Sequence, residues 1–99
     1  MEFTFTSVVW IYSSEGTWYF TTMPVDLADE IQARTAGTRR GFGSVRVNVT
    51  IGKSTWSTSL FRDTKSGSYI LPLKKEIRSK EKISEGAQVH VRFTLPDFT

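Results

Sequence analysis

The residues of this chain that could do chemistry fall into three groups. The first is basic: Arg39 and Arg40 in a glycine-punctuated stretch, then Lys74, Lys75, Arg78, Lys80 and Lys82 within one amphipathic run. Cations at this density suit phosphate contact in a nucleic acid, with binding that weakens steeply as salt rises. Glu76, Glu81 and Glu85 are interleaved with them, which is also how a solvated helix face looks. The second group joins aromatics to hydroxyls, with Trp56, Ser57, Thr58, Ser59 and Tyr69 on neighbouring strands near Trp18. A wall of that kind can line a small-molecule pocket, which is mostly apolar with a few placed polar groups; it can equally be the core of a small barrel. The third is His90, the sole histidine, set between Val89 and Val91 so that it points outward.

None of these amounts to a catalytic constellation. No spacing sets a nucleophile beside a base, although Ser59, Arg62 and His90 would make a hydrolase or isomerase conceivable if folding brought them together. A lone histidine and no cysteine leave no metal-ligand set, and no cofactor is expected. Gly37-Thr-Arg-Arg-Gly-Phe-Gly43 fits neither phosphate-cradling glycine pattern.

The elements that must position these groups are mostly strands. Glu2 to Tyr12 begins as a strict alternation and then fills both faces with Val8, Val9, Trp10, Ile11 and Tyr12, so a bulge or a stretch covered on both sides is expected where a sheet curls. Ser13 to Gly16 turns the chain into a second strand, Thr17 to Met23. Pro24 suits the first turn of a helix, Asp26, Asp29 and Glu30 favour its positive end, and Leu27, Ala28 and Ile31 supply a narrow apolar stripe. Gly37 is placed to cap it. Val45, Val47, Val49 and Ile51 alternate with polar residues in a half-buried strand. Thr55 to Arg78 then packs strand, turn at Asp63 to Gly67, strand and helix start into one run, with Pro72 ending the extended part and Leu73 and Ile77 opening a short helix. A last strand carries Val89, Val91, Phe93 and Leu95 on one face.

The two halves share this order, which points to an internal repeat. Leu27 to Arg34 stands against Leu73 to Lys80, and Val45 to Ile51 against Val89 to Leu95. Two ββαβ units, about residues 2–51 and 53–95, can close one barrel about a pseudo-two-fold axis. The expected fold is mainly β: a small closed barrel of about six to eight strands with two short helices, forming a single domain over residues 1–99.

Trp18-Tyr-Phe with Pro24 after it, Gly41-Phe-Gly-Ser-Val45, Thr55-Trp-Ser-Thr-Ser-Leu-Phe61 and Gly67-Ser-Tyr-Ile-Leu-Pro-Leu-Lys74 together resemble the DUF 1905 family, a domain of unknown function. The resemblance covers most of residues 2–95 and implies a double-split β-barrel, a fold group that also holds the AbrB/MazE DNA-binding dimers. It supplies no catalytic residues. Arg62 stands where the family pattern has a proline, and Ala87 where it has an acidic residue; both read as turn variations.

Composition bounds the rest. The chain of 99 residues has no cysteine, which favours a reducing compartment, so the cytoplasm is expected. No apolar run is long enough for a membrane helix, and the chain opens on an alternating strand pattern in place of a basic-then-apolar leader, so a soluble, unprocessed chain is expected. Residues 1–50 carry 4 basic and 5 acidic groups and residues 51–99 carry 9 and 5, so the net charge of +3 comes from the second half. These features point to a non-enzymatic binding module with a small molecule or a protein as partner, its site at Trp18, Trp56, Thr58, Ser59 and Tyr69. A nucleic-acid-binding regulator using Arg39, Arg40, Lys74, Lys75 and Arg78 is the alternative.

Overall fold

The computed structural model of the chain describes residues 2–36 and 43–96. Among them run β1 (Glu2–Ser13), β2 (Thr17–Thr22), α1 (Val25–Thr35), β3 (Val45–Ile51), β4 (Ser54–Asp63), β5 (Ser68–Pro72), α2 (Lys75–Glu81) and β6 (Gln88–Thr94). The six strands close into a barrel in the order β1-β2-β5-β4-β3-β6, with every neighbouring pair antiparallel. Closure leaves no long free sheet edge, which removes the usual template for edge-to-edge aggregation. The mainly β barrel with two helices expected from the alternation is therefore what forms.

Period-2 alternation fills the barrel. Val45, Val47, Val49 and Ile51 of β3 and Val89, Val91 and Phe93 of β6 are buried, with Phe3, Phe5 and Val9 of β1 beside them. Phe93 stacks on Phe3 at 5.3 Å between ring centroids and meets Phe5 edge-on at 6.2 Å. Rings in these offset and T-shaped arrangements add to what their burial alone supplies.

β1 behaves differently from its expected bulge or two-sided burial. Phe3, Phe5 and Val9 stay inward, while Val8 and Tyr12 are 49% and 51% exposed. The alternation thus runs on unbroken, and what changes is the neighbour: β1 pairs with β6 through Val8 and with β2 from Val9 onward. The apolar residues on its outer face cover the barrel's exterior, where the Trp10 indole N–H donates to Thr22 Oγ1 at 2.8 Å and its ring lies 5.1 Å from Phe20.

Both helices start from extended residues with no side-chain cap. Pro24 is the residue before α1, not its first member, and Ala28, Ile31 and Thr35 form the buried face. Gly37, the expected cap, lies outside the described residues. Leu73 likewise precedes α2: it is buried, and its N–H donates to the Tyr19 carbonyl at 2.9 Å. α2 ends at Lys82 in a left-handed conformation, φ 55°, whose N–H returns to the Arg78 carbonyl. A non-glycine residue there is compatible with the cap because the reverse turn satisfies an otherwise orphaned carbonyl.

Because Phe93 sits at the centre of the ring cluster and Phe61 faces solvent, their truncations should differ. Phe93→Ala is expected to cost about 3–5 kcal/mol in urea unfolding and Phe61→Ala less than about 1 kcal/mol. Equal losses would contradict the barrel's inside-outside assignment.

Candidate functional site

A groove opens where the barrel splits. β5 pairs with β2 only over Phe20 to Thr22 and with β4 only over Phe61 to Asp63. Pro72 carries no N–H to extend the pairing toward β4, and Leu73 adds one further bond to Tyr19 of β2 before the chain leaves toward α2. The first residues of β2 and the middle of β4 are consequently separated by the Leu73–Arg78 segment, and a cavity of about 340 Å³ lies between them.

Its lining is mixed in chemistry: Thr17, Trp18 and Tyr19 come from β2, Trp56, Ser57 and Thr58 from β4, and Pro72, Leu73, Lys74, Lys75 and Arg78 from the segment that leads into α2. Trp56 and Thr58 pair with Val49 and Val47, so they belong to the inward face and reach the groove from inside the split. Both are half-buried, and Trp56 packs against the core. Trp18 is on the outward face opposite Tyr12 and is 54% exposed. The indoles therefore play unequal parts, Trp56 as a fixed wall and Trp18 as an open flank.

Arg78 is fixed against Tyr19 and the Leu73 backbone. Its guanidinium carbon lies 3.7 Å from the Tyr19 ring centroid, and its Nε–H donates to the Leu73 carbonyl at 3.0 Å. A guanidinium stacked on an aromatic face keeps its charge and its planar donor set, so the remaining N–H groups are held ready for an acceptor. Lys74 and Lys75 are exposed beside it. Among the described residues none of these three cations has a carboxylate partner, and no acidic residue lines this groove.

A second, adjoining groove shares Trp56 and Lys74 but is lined also by Glu76 and Glu81. Glu81 accepts a hydrogen bond from the Ser54 hydroxyl at 2.6 Å, and Glu76 approaches Lys80 at 4.0 Å. Its mixed charge contrasts with the wholly basic first groove.

The fold thus merges two groups that the sequence kept separate. Trp18, Trp56 and Thr58 from the aromatic set meet Lys74, Lys75 and Arg78 from the basic set. Ser59 is not with them: it pairs with Arg46 on the outer face of β4. Tyr69 is not either, being 0% exposed on the inner face of β5 with the Arg62 guanidinium 5.5 Å from its ring centroid. Arg39 and Arg40 lie outside the described residues. Arg62 is no turn residue but a member of β4 opposite Tyr69, and its buried Nη1 has no hydrogen-bond partner among the described residues. Tyr19 and Leu73 were missed as groove residues, and the signal for them is tertiary: the bond between their backbones closes the split.

The hydrolytic arrangement does not assemble. His90 is on the outer face of β6, its Nδ1 3.0 Å from Thr6 Oγ1, whereas Ser59 faces outward across β3 and Arg62 faces inward. Among the described residues there is no cluster of three or more histidine, cysteine or acidic residues that could hold a metal ion, and no helix is long and apolar enough to cross a membrane.

The local field of the basic groove should be visible from its tryptophans. At low ionic strength the ratio of iodide to caesium quenching is expected to exceed that of N-acetyltryptophanamide, and Lys74→Gln/Lys75→Gln should bring it down, as should about 0.5 M salt. A ratio no greater than that of N-acetyltryptophanamide would show that no net positive field reaches the indoles.

No curated protein matches the chain. The family comparison matches residues 5–93 to a domain of unknown function, DUF1905, which spans nearly all of the barrel from β1 into β6. With most of its length matched, and with Trp18, Trp56, Pro72 and Lys74 of the split inside the match, the chain belongs to the DUF1905 family.

Proposed function

We infer that this chain is a non-enzymatic ligand-binding domain whose site is the groove at the barrel split. The observation that carries the reading is the meeting of Trp18, Trp56 and Thr58 with Lys74, Lys75 and Arg78 around a cavity lined by no acid. Small-molecule sites are concave, largely apolar and equipped with a few fixed polar groups, and this groove has that composition. Its charge selects the ligand's sign. Three uncompensated cations repel one another, and an anion entering between them relieves that repulsion while its apolar part covers indole surface.

Two other roles are less well supported. A nucleic-acid-binding regulator would need a basic track longer than the groove, and past Trp56 and Lys74 the surface mixes Lys53 and Lys80 with Glu76 and Glu81. Hydrolysis would need Ser59 and His90 together, and they face outward from different strands, with β3 between. The absence of cysteine supports a reducing compartment such as the cytoplasm in this reading.

The test is thermal unfolding of the intact chain against a panel of small aromatic acids, neutral aromatics and aromatic amines. A ligand that binds only the native state raises the midpoint in proportion to its occupancy. At least one aromatic acid is expected to raise it by several degrees, amines should not, and Lys75→Glu should abolish the gain while leaving the ligand-free midpoint almost unchanged, because Lys75 is exposed. Acids and amines acting alike would remove the reading, as would the failure of every anionic aromatic, carboxylate or phosphate ester.

A further inference from the structure

Resting on that ligand-binding reading, we propose that the groove takes a planar ring bearing a phosphate monoester, the chemical class of a nucleoside monophosphate. Its lining offers two kinds of group to two different ligand parts. Lys74, Lys75 and Arg78 come from a single short segment, and none has a carboxylate partner among the described residues. A carboxylate would balance one of these three charges. A phosphate monoester carries about −1.5 to −2 at neutral pH with three acceptor oxygens, which matches the cations more closely in charge and in number of donors.

Arg78 adds geometry to charge. Its Nε–H is engaged by the Leu73 carbonyl and its plane lies over Tyr19, so the side chain is ordered before any ligand arrives. Little rotamer freedom is then lost on binding, and the planar fork suits phosphate oxygens. In the same lining Trp56 is held against the core and Trp18 is more than half exposed, at 54%. An aliphatic phosphate would leave that indole uncovered, whereas a planar ring can stack on it.

Size and surroundings favour a free nucleotide over a strand. The cavity, about 340 Å³, is near the lower end for small-molecule sites. A polynucleotide follows a continuous basic path, and in the adjoining groove Lys53, Lys74 and Lys80 are interspersed with Glu76 and Glu81, so the wholly basic lining ends with the first groove.

The experiment is calorimetric titration of the intact chain with adenosine 5′-monophosphate, adenosine, adenosine 5′-carboxylate, inorganic phosphate and a ten-nucleotide single strand. The monophosphate is expected to bind about tenfold or more tightly than each of the other four. Lys75→Gln and Arg78→Lys should each weaken it by about tenfold, and Trp18→Ala should weaken it while leaving inorganic phosphate unaffected. Lys75 and Trp18 are exposed, so their variants keep the test valid even if Arg78→Lys disturbs folding. Equal binding of the carboxylate, or no binding of the monophosphate while aromatic acids still stabilise the chain, would overturn the phosphate assignment and leave the ligand-binding reading standing. Failure of all these probes together with the aromatic acids would remove both. A single strand that binds more tightly than the monophosphate would overturn the free-nucleotide assignment.

Discussion

Two reciprocal backbone hydrogen bonds hold the helices to the barrel, and the groove depends on them. The Met23 N–H donates to the Tyr69 carbonyl and the Leu73 N–H to the Tyr19 carbonyl, each at 2.9 Å. Each bond extends the β2–β5 ladder by one step beyond its last strand residue and fixes where the following helix begins. Where the ladder stops, the barrel must open, since unpaired backbone groups have to find water or side chains. Ser68 meets one such need by donating to the Met23 carbonyl at 2.6 Å.

The two openings are filled unequally. Beside Tyr69 the Arg62 guanidinium lies over the ring and the tyrosine is fully buried; beside Tyr19 the stacked cation is Arg78, the tyrosine is half-buried and the groove stays open. Similar ring-and-cation pairs therefore serve a closed position and an open one. The strand order is unchanged when β1, β2 and β3 are exchanged with β4, β5 and β6, so each opening is a connection-equivalent of the other.

Much of the architecture was legible because alternation is a local property. Val45 to Ile51 and Val89 to Phe93 could face inward in only one register, and the barrel followed from there. The tail of β1 was not, because Val8, Trp10 and Tyr12 cover the outer surface while the strand changes partners, and a period-2 pattern carries no information about which neighbour is paired. Proline positions marked where strands and helices separate, but Pro24 and Leu73 proved to stand just before their helices, where a bond to another strand decides the start. For the site, residue types were readable and their company was not. Trp18, Trp56 and Thr58 lie far along the chain from Lys74, Lys75 and Arg78, or on other elements, and only the split brings them together. Tyr69 and Ser59 were grouped with the tryptophans on proximity along strands; one turned into the core and the other outward.

The central claim is that a ligand enters between Trp18 and Trp56 and not elsewhere on an aromatic-rich surface. The three indole N–H resonances of the native protein report this directly, because Trp10 is bonded to Thr22 on the outer face and serves as an internal control. On titration with an anionic aromatic ligand found in the stability panel, the Trp18 and Trp56 indole signals should shift together and saturate at one concentration while Trp10 stays in place. Movement of Trp10 instead, or of all three in proportion, would contradict the account.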